Sequence, residues 1–198
     1  MKKSSLRPFL RVGAIPAALI AAEILLEPMD IALPFILAAA IHEFGHLAAA
    51  MVWGIRLRSL EIGPLGATIR VCEGLISYKK EWLLCFSGPF FNLASAAVIA
   101  LIIPDSEFSR LFCPISMIIA LLNLLPLRGF DGGRMLGAAV GYIAGPRAAA
   151  RTLSYLSLIT VVCLWLFSVY LLIRFGASLS LFVFTVTVFY RIFIEKEN

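Results

Sequence analysis

The stretch "AAAIHEFGHLAAA", residues 38–50, places His42, Glu43 and His46 inside a run of alanine, isoleucine, phenylalanine and leucine. Ionisable groups are costly in so apolar a segment, and at membrane depth they mark functional sites with partners. On a helix His42 and His46 stand one turn apart, so their imidazoles can converge on one ion while Glu43 points beside it. Two neutral imidazoles that hold a divalent metal, next to a carboxylate that can take a proton from water, suit zinc-assisted hydrolysis. The pattern H-E-x-x-H also arises by chance, and a lone histidine is more often a satisfied core residue than a ligand. Here these two are the chain's only histidines, and two histidines placed at random fall four apart with a probability of roughly 1%. Coincidence is a poor explanation.

Outward from this segment the chain stays apolar. Of its 198 residues 61% are hydrophobic and 15% charged, and the apolar runs are long enough to compete with membrane spans. They fall at 12–26, 31–53, 82–103, 111–126, 152–173 and 177–194. At about 1.5 Å per residue most can cross a hydrocarbon layer of ~30 Å. The expected fold class is an all-α polytopic membrane protein with about six transmembrane helices. The first run carries Pro16 and Glu23 and the fourth stops at Pro126, so both are candidates for a tilted, broken or shielded helix. The first has a competing reading, because Lys2, Lys3, Arg7 and Arg11 before an alanine-rich run resemble a signal peptide.

The net charge of +5 does not indicate a nucleic-acid partner, since no stretch is polar enough to form a soluble basic patch. It orients the spans instead. With the amino terminus in the cytoplasm, all but Arg110 and Arg174 of the 17 Lys and Arg residues fall inside, so both termini are expected there. Cys72, Cys85, Cys113 and Cys163 are spread singly and read as reduced apolar fillers. With no internal repeat or low-complexity tract, one transmembrane domain over residues 1–198 is the simplest organisation.

Two connecting stretches break the apolar pattern. Residues 54–80, "GIRLRSLEIGPLGATIRVCEGLISYKK", are punctuated by Gly63, Pro64 and Gly66, and "ATIRV" alternates at β period. A short β-hairpin with an exposed edge, or a re-entrant or surface loop, is expected between the second and third helices. Residues 123–136, "NLLPLRGFDGGRML", end a helix at Pro126, and Gly129, Gly132 and Gly133 keep the backbone close to its neighbours around Asp131. Met135–Ile143 then starts a short helix. A catalytic zinc takes three protein ligands and keeps one position open. The acidic candidates for the third are Glu23, Asp105, Glu61, Glu73 and Asp131; Asp131, at a glycine-flanked break near the inner side, fits best, with Glu23 in reserve.

The elements "HEFGH", "SGPFFN" at 87–92 and "NLLPLRGFDGGRML" resemble the signature of the site-2 protease family of intramembrane zinc metalloproteases, and the compact layout is most similar to its bacterial sporulation branch. The resemblance covers Phe35 to about Leu136. It implies that His42, His46 and Asp131 ligate one Zn2+, that Glu43 activates water, and that Asn123 assists the substrate or developing oxyanion. It matches Gly88, Pro89 and Asn92 to a third-span motif, read here as helix packing and structural hydrogen bonding. Departures are expected too. The chain is too short for the periplasmic peptide-binding (PDZ) insertion of some members, and nothing after Asn198 supplies a carboxy-terminal nucleotide-sensing (CBS) domain.

The function so implied is cleavage of membrane proteins or peptides within or beside a transmembrane helix, in the membrane of a bacterial cell, with a regulatory membrane protein as a further partner. Two readings compete with it: a catalytically inactive homologue that binds membrane proteins, and a metal transporter. Retention of every water-activating and metal-binding element opposes the first. A single histidine pair around a carboxylate, without repeated halves, opposes the second.

Overall fold

The computed structural model describes residues 10–12, 29–55, 57–63, 66–71, 76–175 and 189. The chain forms two compact units, one up to Leu122 and one from Asn123 onward, and each is built by its own local logic.

In the first unit, helix α1 (Met29–Val52) packs on α2 (Tyr78–Ile102). The buried stripe of α1 is small or polar, with Ala38, His42, Gly45, His46 and Ala49 recurring at helical spacing. Its large residues, such as Leu33, Phe44 and Met51, are exposed. A soluble helix does the reverse; this pattern suits helices that meet through small residues and turn their apolar bulk to lipid. Gly45 shows the closeness of approach, since a Cβ there would sit 2.7 Å from the Ser87 carbonyl oxygen.

The end of α1 is a Schellman turn: Gly54 takes a positive φ of 60°, the Ile55 N–H bonds the Ala50 carbonyl, and the Gly54 N–H bonds that of Met51. Just beyond it Trp53 and Ile55 pack with Ile76 against Ala49, Ala50 and Leu84. Lys80 fastens the same corner by donating to the Trp53 carbonyl at 2.9 Å. Ser77 caps α2, accepting from the Lys80 N–H. Helix α3 (Glu107–Asn123) starts where Ser106 accepts from the Ser109 N–H, and the Cys113 thiol ties it to α2 by donating to the Ala96 carbonyl.

The connection from α1 to α2 forms β2 (Leu57–Gly63) and β3 (Gly66–Val71), which join β1 (Leu10–Val12), from ahead of α1, in a small sheet of order β1-β2-β3. Strands β2 and β3 pair antiparallel, with Glu61 opposite Thr68 and a register shift between Leu57 and Ser59. Strand β1 joins parallel on the other edge of β2, Leu10 opposite Leu60. The sheet therefore has three strands where the sequence suggested at most two. The third is Leu10–Val12, whose backbone groups pair with the edge of β2 that a lone hairpin would leave open.

In the second unit a non-helical turn leads into α4 (Asp131–Ala144), which packs on α5 (Pro146–Phe175). Gly145, at φ 84°, separates them, and Pro146 opens α5, where a missing N–H costs nothing.

Three described helices are long and apolar enough to cross a membrane: α1 from Asp30, α2, and α5 as far as Arg174. The expected fourth span is α3, which at 17 residues is shorter and runs from 107 to 123 rather than 111 to 126. Its polar first turn hid the start, while Ser106 supplies the cap. The first and sixth expected spans, apart from Val12 and Phe189, lie outside the described residues, as do Cys72, Glu23 and Glu73. Among the described residues, Cys85, Cys113 and Cys163 form no disulfide.

Candidate metal centre

His42 and His46 lie on the buried stripe of α1, 4% and 6% exposed. The Nδ1 of His46 is 2.7 Å from the Leu84 carbonyl oxygen. A carbonyl only accepts, so Nδ1 carries the proton and the Nε2 of the neutral ring presents its lone pair. The same carbonyl also accepts from the Ser87 hydroxyl at 2.6 Å. The two Nε2 atoms are 3.2 Å apart, the rings being nearly perpendicular at 81°. Two imidazoles bound to one tetrahedral zinc at about 2.0–2.1 Å have their nitrogens about 3.3 Å apart. In spacing, though not by itself in proton placement, the pair suits a shared ion.

Space for that ion comes from α2. Gly88 faces both rings, and a Cβ there would collide with His46 Nε2 and stand 2.8 Å from His42 Nε2. One helical turn on, Asn92 is fully buried, with its Nδ2 3.5 Å from the Nδ1 of His42. Glu43 is half-buried next to the pair in sequence, and its Oε2 is shielded from solvent. The first unit therefore gathers His42, His46, Gly88 and Asn92. A buried, nitrogen-lined cradle that a methyl group would fill fits a small divalent cation.

The second unit presents Asp131 as the first residue of α4, 8% exposed, where the helix N-terminus favours a negative charge. Phe130 precedes it in extended backbone, closing a turn in which the Phe130 N–H bonds the Leu127 carbonyl and Gly129 has a φ of 86°. That positive φ at the third position suits glycine in a type II turn. Gly132 and Gly133 follow because the turn folds back over them: Cβ atoms there would collide with the Leu124 and Leu127 carbonyls. Asn123, half-buried, is the last residue of α3. Of the other acidic candidates, Asp105 is exposed in the turn between α2 and α3, and Glu61 lies in β2.

Two contributors had no signal in the sequence. Leu84 acts through its carbonyl, which every residue type has. Ser157 on α5, with no exposed surface, donates to the Pro126 carbonyl and accepts from the Arg128 N–H, so one hydroxyl serves two backbone groups of the non-helical turn.

Comparison with known proteins converges on one family. The model of peptidase family M50 matches residues 31–112 and 105–167. Stage IV sporulation protein FB of Bacillus subtilis (strain 168) is 29% identical over 113 residues, which cover 54% of this chain and 39% of that protein, so well under two thirds of the relative's length is spanned. The site-2 protease from Methanocaldococcus jannaschii has a similar fold, with a TM-score of 0.67 at 16% identity over 96% of this chain and 93% of that one. With the family match running through the histidine pair, the third-span motif and the Asp131 turn, this integral membrane chain belongs to peptidase family M50, the family of the site-2 proteases.

Proposed function

We propose that the protein is an intramembrane zinc metalloprotease that hydrolyses peptide bonds in or near transmembrane segments of membrane-bound substrates. The observation that carries this reading is the pair of buried Nε2 atoms 3.2 Å apart over Gly88, on the turn that also bears Glu43. His42, His46 and Asp131 would hold one zinc ion. Bound there, zinc supplies the Lewis acidity that makes water nucleophilic near neutral pH and polarises a peptide carbonyl.

The remaining work falls to the chain's own side chains. Glu43 accepts the proton of the attacking water and returns it to the leaving amide nitrogen. The Asn123 amide donates to the oxygen on which negative charge develops. The Leu84 carbonyl holds His46 in the tautomer that keeps Nε2 free to ligate. Low exposure at both histidines keeps bulk water from competing with the substrate. A helical substrate hides its peptide bonds and must unwind locally; β3, a terminal strand of the sheet, would hold it extended by strand addition. Both termini are assigned to the cytoplasm of a bacterial cell, with a separate membrane protein as regulator.

The competing readings are an inactive membrane-protein binder and a metal transporter. One assay on purified protein with single-span membrane substrates separates the three. Wild type should contain zinc and cleave; Glu43→Gln should keep the zinc and lose cleavage by about 10²–10⁴-fold. Equal behaviour of the two forms without cleavage would mark a binder, and zinc movement in vesicles a transporter.

A further inference from the structure

Asn92 sits beside the histidine pair in an unusual state. It is fully buried, its Nδ2 is 3.5 Å from His42 Nδ1, and its Oδ1 has no hydrogen-bond partner among the described residues. A buried amide oxygen left unpaired is costly, so the position calls for a reason.

The hydrogen bonds supply one. As arranged, a continuous chain runs from the Asn92 Nδ2–H to His42 Nδ1, from the His42 Nε2–H to His46 Nε2, and from the His46 Nδ1–H to the Leu84 carbonyl. Every ring nitrogen is satisfied with both imidazoles neutral. This arrangement cannot ligate an ion through both Nε2 atoms, because the His42 proton occupies one of them. Ligation requires that proton on His42 Nδ1, and Nδ1–H then needs an acceptor where a donor stood. A half-turn of the Asn92 amide puts Oδ1 in the place of Nδ2. The two ends of an amide are nearly equal in size, so the exchange needs no repacking.

We propose that Asn92 is a positioning residue whose amide sets the tautomer of His42, donating to Nδ1 when that nitrogen is bare and accepting from Nδ1–H when His42 ligates through Nε2. The inference rests on the zinc reading above. It explains why the position holds an amide: leucine of similar size serves neither state, and aspartate serves only the metal-bound one.

The test uses full-length protein in detergent with Zn2+ alone. Zinc affinity is measured by competition with a chelator for wild type, Asn92→Leu and Asn92→Asp. Asn92→Leu should bind about 10–100-fold more weakly, and Asn92→Asp should recover most of that loss. Because the chain has two histidines, histidine labelled with nitrogen-15 gives four ring-nitrogen signals, two from each imidazole, and His42 should carry its proton on Nε2 without zinc and on Nδ1 with it. If wild type binds zinc and Asn92→Leu binds it as tightly, or Asn92→Asp is as weak as Asn92→Leu, Asn92 is packing only and the zinc reading stands. Wild type that binds no zinc overturns both. Should the variants fail to fold, wild type decides alone: a His42 proton on the same nitrogen in both states contradicts the exchange.

Discussion

Gly88 on α2 faces His46 on α1 so closely that a methyl group on the glycine would collide with the imidazole Nε2. The helix supplying that glycine also supplies the Leu84 carbonyl that orients the same ring. One turn of α2 thus fixes both where the nitrogen points and how much room lies before it.

Gly88→Ala should therefore act on the metal before it acts on the fold. The extra carbon meets two ring nitrogens rather than backbone, and overpacking of this kind costs about 1–3 kcal/mol. Zinc affinity should fall roughly 5–150-fold, on the scale where about 1.4 kcal/mol is tenfold, while the helical circular dichroism stays at the wild-type level. Unchanged zinc affinity in Gly88→Ala would mean that the space over the rings is not where the ion sits.

In the second unit, Ser157→Ala should destabilise the turn that presents Asp131. The Pro126 carbonyl and the Arg128 N–H both lose their shared hydroxyl, and two part-buried hydrogen bonds contribute about 0.5–1.5 kcal/mol each. Thermal unfolding in detergent should show the loss. Ser154→Ala, three residues earlier, removes an exposed contact with the Arg128 guanidinium and should change stability by about 0.5 kcal/mol or less. Equal melting of the two variants would deny Ser157 its role.

The strand-addition part of the proposal predicts that prolines placed singly at Ala67, Thr68, Ile69 and Arg70 slow cleavage at those positions whose N–H faces the open edge of β3. Zinc content should be unaffected, because no ligand lies on the sheet. Cleavage rates intact along the whole stretch would leave the substrate bound elsewhere.

How much of this was legible in the residues depends on where the information resides. The pair His42 and His46 stood out because ionisable side chains are expensive in an apolar run, and Gly132 and Gly133 announced a close approach without showing that the Leu124 and Leu127 carbonyls were what they approached. Leu84 acts through backbone, which carries no residue-specific signal, and a serine such as Ser157 is common in apolar helices. Asn92 was visible within "SGPFFN" and read as helix packing and structural hydrogen bonding, but that its partner is the His42 ring depends on how α1 and α2 pair. Leu10–Val12 are too few residues to show a β period, and they were read as the basic approach to a first span at 12–26, with a signal peptide as the competing reading.

The most direct measurement of the central claim is zinc-edge X-ray absorption on the purified wild-type protein and Asp131→Ala. One zinc per chain is expected in the wild type, with two imidazole nitrogens and oxygen ligands at about 2.0–2.2 Å and no sulfur near 2.3 Å. Asp131→Ala should lose the ion or one oxygen from its shell. Absence of zinc, a sulfur ligand from one of the cysteines, or an identical shell in Asp131→Ala would contradict the assignment.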